Sequence, residues 1–230
     1  MGAQPRIDYQ QLSDPALAER IAARDPAAVR LVTTRHNQRL FRVAYGILKH
    51  RGDSEDVLQN AYLKAFAAIG GFRGDSALST WLTRIVINEA LERRRRKLRE
   101  TALAQGSVVM LDEYREKLAG GARPQPDAEL AQHQIRVLLE QAVSRLPDDF
   151  RLVFVLREIE GVSVDETARL LDILPATVKT RHLRARRRLQ KDLGPQLRAA
   201  LHGSFPFAGL ACEAMTERVV GAFCGETGEP

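Results

Sequence analysis

Long apolar runs are missing from this chain: no stretch approaches the ~18 consecutive apolar residues that a membrane-crossing helix needs. Aromatic residues make up only 6% of the 230. Alternating runs of Val, Ile and Thr, the mark of half-buried strands, do not occur. Cysteine is nearly absent. Cys212 and Cys224 lie near the C-terminus with His202 as the one nearby histidine, a spacing that fits no zinc site. In a reducing compartment they read as ordinary thiols, with a redox or regulatory role for the tail as the alternative. The opening MGAQPRIDYQQL has no basic segment followed by an apolar one, so no secretory leader is expected. Arg6 stands where N-myristoylation needs Ser or Thr. No phosphate-cradling glycine loop, metal-ligand cluster or nucleophile constellation is recognisable either. The absences predict a cytoplasmic protein with no membrane insertion, no metal, no cofactor and no catalytic residue.

What is present is positive charge. Lys and Arg outnumber Asp and Glu by 35 to 29, for a net charge of +6. The excess is clustered: residues 93–99 read RRRRKLR, and 179–191 carry seven more basic side chains. A single basic run is as well explained by a solvated helix face. Two such runs, each closing an amphipathic segment, point to a polyanionic partner, nucleic acid.

Helical periodicity runs through nearly every long segment, so the expected class is all-α, with two small helical domains joined by a flexible linker. The first domain is placed at 10–98. Pro15 and Pro26 are placed to open helices, each preceded by an Asp, Asp14 and Asp25, expected to cap. Gly52 is expected to end one helix, with Asp53 or Ser54 capping the next. GGFRGDS at 70–76 reads as a turn-rich loop, with Asp75 or Ser76 available to cap a helix from Leu78. Between 99 and 127 the pattern fades, and Gly120, Gly121, Pro124 and Pro126 mark a linker. A second domain follows at 128–194. The tail, 195–230, offers one short helix near 211–223, with no assignable role.

Within the second domain, EGVSVDETARLLDILPATVKTRHLRARRRL has the grammar of a helix-turn-helix. Gly161 ends one helix, and Ser163 caps the next with Glu166 as its capping-box partner. Val164, Ala168 and Leu171 form that short helix's inner stripe. DILP is the break, and Pro175 opens the second helix. There Val178, Ala185 and Leu189 fall at i, i+7 and i+11 and face inward. Thr177, Lys179, Thr180, Arg181 and Arg184 are left for base edges in the major groove. Arg186, Arg187, Arg188 and Lys191 lie farther along, where phosphate contacts give affinity without sequence information. A membrane helix would need a larger apolar face than Val, Ala and Leu supply.

In the first domain, Leu58, Ala61, Tyr62, Ala65, Phe66 and Ile69 share one helix face. Asp56, Gln59, Asn60 and Leu63 share the other, an arrangement suited to protein docking, although a lone surface leucine needs no such explanation. On the next helix Leu78, Leu82, Ile85 and Val86 point inward, while Trp81, Arg84, Asn88 and Arg95 form a separate stripe. A tryptophan beside arginines and an amide can stack unpaired bases along a charged backbone, or it can be a boundary core residue. The preceding loop, Phe72, Arg73, Asp75 and Ser76, can hold an extruded base, or form a capped turn.

These residues carry a resemblance. The block YGILKHRGDSEDVLQNAYLKAFAAIGGFRGDSALSTWLTRIVINEALERRRR resembles region 2 of the bacterial sigma-70 family. LPDDFRLVFVLREIEGVSVDETARLLDILPATVKTRHLRARRRL resembles region 4. With only these two regions, the chain is similar to the extracytoplasmic-function (ECF) group. The resemblance implies a sigma factor that binds core RNA polymerase and recognises −35 and −10 promoter elements. It places Asp56, Gln59, Asn60 and Leu63 on the β′ clamp coiled coil. Phe72, Arg73, Asp75, Ser76, Trp81, Arg84, Asn88 and Arg95 fall to the melted −10 strand. Thr177, Lys179, Thr180, Arg181, Arg184, Arg186, Arg187 and Arg188 fall to the −35 duplex, with region 4 also meeting the β flap. An anti-sigma factor is a further partner the resemblance implies. The chain departs from the pattern at His182-Leu183, where the order Leu-His is usual, so the inner contact at residue 182 stays open. Glu92 stands where Asp is more usual. A two-domain helix-turn-helix regulator acting without polymerase is the alternative, and it would predict dimers on palindromic sites.

Overall fold

The computed structural model describes residues 8–104, 139–192 and 210–225, and every regular element among them is helical. In chain order these are α1 (Asp14–Ala22), α2 (Pro26–Leu48), α3 (Arg51–Ala67) and α4 (Leu78–Ala104). They are followed by α5 (139–145), α6 (Asp148–Phe154), α7 (Val164–Leu171), α8 (Pro175–Asp192) and α9 (Leu210–Cys224). Most of the 99–127 segment read as a linker lies outside the described residues, although α4 itself continues to Ala104.

Both prolines open helices as expected, but the Asp expected to cap α1, Asp14, lies inside the helix and Ser13 takes the cap in its place, whereas Asp25 caps α2 as expected. The Ser13 hydroxyl accepts from the Ala16 N–H, and the Asp25 carboxylate accepts from the Ala27 N–H, each beside a proline that has no N–H to leave orphaned. The Tyr9 hydroxyl also donates to Asp25, at 2.6 Å, tying the first turn of chain to α2. Helix α2 packs along α3 and α4, burying Val32, Leu40, Tyr62, Phe66, Leu82 and Val86 in one core.

Other local expectations are corrected. Gly52 does not end a helix: α2 stops at Leu48 with Lys49 in the left-handed region, φ 57°. His50 then caps α3, its Nδ1 accepting from the Asp53 N–H at 3.1 Å. Asp53 and Ser54 are therefore inside α3 and buried. The first N–H of α4 finds its cap across the bundle rather than in the preceding loop, with Leu78 N donating to Asp14 at 2.7 Å. At α7 the Ser163 half of the capping box forms, accepting from the Glu166 N–H at 3.1 Å. The Glu166 carboxylate instead accepts from the Thr80 hydroxyl of α4.

The second unit closes over two small clusters. Val143, Leu146, Phe154, Ala185 and Leu189 form one; Val153, Ala168 and Val178 form the other. Between α6 and α7 the chain takes a π-turn, Val155–Ile159, with Glu160 N donating to Val155 O, and it escapes through Gly161 at φ +65°. The two units touch. Arg151, 2% exposed, donates to the Gly46 carbonyl of α2, to the Leu146 carbonyl at 2.8 Å and to Asp148 at 2.7 Å. Gly46 also faces Val155, whose Cγ2 would lie in van der Waals contact, 3.4 Å, with a Cβ placed there.

Candidate nucleic-acid interface

Helix α8 settles as its periodicity requires. Val178, Ala185 and Leu189 are buried, and the turn before it is set by Asp172 at φ 52°. Lys179, Thr180, Arg184, Arg186, Arg187 and Arg188 are exposed, and Thr177 and Arg181 are half-buried. Two of these cations already have work inside the protein. Arg181 pairs with Asp149 at 2.6 Å, and Arg188 lies over the Phe150 ring at 5.6 Å. Lys179, Arg184, Arg186 and Arg187 make no ion pair with another described residue, so their donors face solvent. Thr180 spends its hydroxyl proton on the Ala176 carbonyl. The open question at residue 182 has an answer: His182 Nε2 sits 2.8 Å from a Glu158 carboxylate oxygen, and Leu183 points outward, 49% exposed.

On α4 the run RRRRKLR divides by role. Arg93 and Lys97 hold the buried Asp53 of α3 at 2.8 and 2.9 Å. Burial alone would raise the Asp53 carboxyl, but hydrogen bonds from Lys97 and Arg93 hold it below the ordinary carboxylate range. Arg94 reaches Asp148 at 2.8 Å, and Arg96 pairs with Glu92 at 3.3 Å one turn back. Arg95 is left over. It is exposed and falls on the same stripe as Trp81, Arg84 and Asn88. Arg84, Asn88 and Arg95 make no hydrogen bond to another described residue.

Trp81 is neither free nor fully buried. It packs edge-on against Phe72, centroids 5.7 Å apart, at the margin of the main core. Arg73, Asp75 and Ser76 are exposed in the loop between them, where Gly74 takes φ +76°. The loop and the α4 stripe thus form one surface, with an aromatic pair at its centre and free cations along one side. Asp56 and Asn60 are exposed on α3, while Gln59 and Leu63 are half-buried. Among the described residues no group of His, Cys, Asp or Glu could hold a metal ion, and no helix is long and apolar enough to cross a membrane.

Sequence reasoning missed the partners of these residues. The pairing of Asp53 with Arg93 and Lys97 bridges forty residues and more, so no local pattern signals it. Glu166, one turn into α7, carried the capping-box signal, which masked its contact with α4.

The described residues thus define a class: all-helical, with one basic helix-turn-helix and a separate aromatic-cationic surface. Known proteins give the class a family. The sigma-70 region 2 model matches residues 32–100, and a sigma-70 region 4 model matches 136–189. The ECF RNA polymerase sigma-E factor of Escherichia coli K12 is 30% identical over 192 residues, covering 82% of this chain and 98% of that protein. The RNA polymerase sigma-H factor of Pseudomonas aeruginosa is 31% identical over 194 residues, 83% and 98% of the two chains. Among solved structures, the sigma factor RpoE of Bartonella quintana, co-crystallised with the anti-sigma factor NepR, superposes with TM-score 0.54 and 25% identity. It covers 70% of this chain and 92% of that one. CnrH, in complex with the cytosolic domain of CnrY, gives 0.52 and 25%, covering 77% and 95%. The chain belongs to the sigma-70 family, in its extracytoplasmic-function group. It is a sigma factor, and its partners are core RNA polymerase and promoter DNA.

Proposed function

We propose a division of labour over named residues. Asp56, Gln59, Asn60 and Leu63 on α3 dock on the β′ clamp coiled coil. Phe72, Arg73, Asp75, Ser76 and Trp81, with Arg84, Asn88 and Arg95, hold the melted −10 strand. The exposed side of α8 reads the −35 duplex: Thr177, Lys179, Thr180, Arg181 and Arg184 at base edges, Arg186, Arg187 and Arg188 on phosphate. The observation that carries this reading is selective pairing. On both basic helices some cations are consumed by internal carboxylates, and those on the proposed DNA-facing stripes are largely left to solvent. The domain limits follow the same division: 10–98 for polymerase and −10 element, 99–127 as linker, 128–194 for the −35 element and β flap, 195–230 as an extension.

The protein has no catalytic residue of its own in this reading and works in the cytoplasm beside its polymerase. A single recognition helix reads duplex weakly and with steep salt dependence, each phosphate contact adding ~0.9 to the slope. Holding both readers on one polymerase makes the second contact intramolecular. Stacking of unpaired bases at ~1–3 kcal/mol each then favours the open strand. Since the structural relatives RpoE and CnrH are seen with protein partners, an anti-sigma factor is a natural antagonist.

Run-off transcription with purified core polymerase on pooled genomic fragments tests the reading. Discrete new transcripts that share −35 and −10 sequences are expected. Asp56→Arg, at an exposed position, should reduce core binding at least tenfold with the fold intact, as a reversed charge in a docking patch does. Normal pull-down of core by the folded variant removes that patch from the account.

A further inference from the structure

Helix α9 lies beyond both family-matched segments, yet it is built into the core of the first unit. It runs antiparallel to α2 and fills the groove between α2 and α3. Met215 and Val219 are fully buried in the main core. Thr216 accepts from the buried Asn37 amide at 2.9 Å, fixing the helix in register. Phe223 packs on Phe66 with centroids 5.5 Å apart, under the Arg24 guanidinium at 5.4 Å. The outer contacts are solvent-facing ion pairs, Glu217 with Arg30 and Arg218 with Glu55, the latter at 4.0 Å.

The α3 residues that meet α9 decide what this means. Glu55 and Phe66 are eleven positions apart, three helical turns, and so lie on one stripe. Gln59, one turn after Glu55, stands half-buried at the boundary where this stripe meets the opposite, exposed face. Leu63 follows one turn after Gln59, and Asp56 and Asn60 adjoin. The groove filled by α9 and the proposed polymerase-docking face therefore share an edge. An α-helix with its side chains is about 10–12 Å across, wider than the step between neighbouring stripes. A partner helix centred on Gln59 and Leu63 meets α9 in the same space.

We infer that the α2–α3 groove is a helix-binding site with two alternative occupants: α9 in the free protein, and a helix of the polymerase clamp when the holoenzyme forms. This rests on the proposed docking role of α3. Helix α9 is suited to leaving. At 15 residues it is near the length at which an isolated helix is only marginal in water, so its order depends on the groove. Its peripheral ion pairs are exposed and salt-sensitive. On release it uncovers Phe66 beside Gln59, enlarging the apolar face available to the incoming helix. The free factor is thus held below its intrinsic affinity for polymerase by the fraction of molecules with the groove filled.

Hydrogen exchange on the full-length protein, alone and with core polymerase, tests this directly. The expected result is a stable complex in which the amides of 214–224 exchange about tenfold faster or more than in the free protein, reporting local release. A complex in which those amides keep or gain protection overturns the inference and leaves the docking role of α3 standing. Failure to form any complex removes both. Independently, Met215→Asp/Val219→Asp should empty the groove and lower the Kd for core polymerase about fivefold or more, the low end of ordinary coupling between sites. Equal or weaker binding by a variant whose α2 and α3 amides remain protected counts against the inference. Should that variant fail to fold, the exchange measurement on the unaltered chain decides alone.

Discussion

His36 lies half-buried on α2, where desolvation, then the charges of Arg35 and Arg39, push its imidazole from 6.5 down to about 4 against a smaller pull from Asp14. In the unfolded chain the same ring takes up a proton below about 6.5. Between these values the unfolded state binds more protons, so stability rises with pH and is lost as pH falls from about 6.5 towards 4. From pH 7 to pH 5 the group alone should cost about 2 kcal/mol. Glu160 acts in the opposite direction, because burial raises its carboxyl despite the Arg42 charge beside it. The His36 contribution is therefore read as a difference: denaturant unfolding of wild type and His36→Gln at both pH values, with the variant losing about 2 kcal/mol less. Equal losses would show that the ring is solvated. Nothing in TTRHNQRL marks this histidine, since its burial comes from how α2 lies in the bundle. By contrast Val178, Ala185 and Leu189 were legible from spacing alone, because the inner stripe of a helix depends only on its period.

At the scale of elements, α8 shows both how far periodicity reaches and where it stops. Its limits, its inner face and its proline start follow from local chemistry. The role of His182 does not, because its partner Glu158 stands in a π-turn. One extra residue in that turn shifts every side chain after it relative to a regular helix, and no hydrophobic pattern announces the insertion. The transposed His-Leu order is thereby accommodated: histidine takes the inward place by pairing with a carboxylate, and Leu183 turns to solvent. Two substitutions separate these roles. His182→Ala should destabilise the protein by about 1 kcal/mol through the lost hydrogen bond and weaken duplex binding with it. Leu183→Ala should stay within about 0.5 kcal/mol. Thermal melts of the two variants check the order, and a larger loss at Leu183 would mean that the leucine packs inward in solution. The α9 helix was likewise legible as an element, near 211–223, while its berth was not. Its groove is assembled from Asn37, Glu55 and Phe66, residues far away in sequence.

In the whole molecule the two units meet at one junction, where Leu152, Val155, Leu156, Val162 and Leu170 of the second join the main core of the first and a set of polar contacts rims them. Arg42 of α2 pairs with the nearly buried Glu160 at 3.0 Å. Asp148 meets Arg94 and Lys49 from the first unit, as well as Arg151. Thr80, next to Trp81, donates to Glu166 of α7, which brings the helix-turn-helix against the start of the stripe proposed for the −10 strand. With α7 on α4 and α8 on α7, the reading helices stand roughly two helix diameters apart, ~20 Å. Promoter elements some 25 base pairs apart lie ~85 Å from each other along the duplex at 3.4 Å per pair. If α4 and α8 take the proposed roles, this spacing is too short to engage both elements at once, and the junction is expected to open on the polymerase. Arg151 is its clasp, because one guanidinium serves Gly46 of the first unit and Leu146 and Asp148 of the second. In the sequence, within DDFRLVFVLRE, nothing local marks it, because its burial needs both its own unit and the approach of α2. Arg151→Met keeps the bulk but leaves those carbonyls unpaired, and should cost about 3 kcal/mol. The loss should also uncouple the units, so that one cooperative thermal transition becomes two. Calorimetry distinguishes the cases: a single transition at the unchanged temperature would mean that the units are not clasped in solution, whereas a split with polymerase binding retained would mean that the junction exists to be opened.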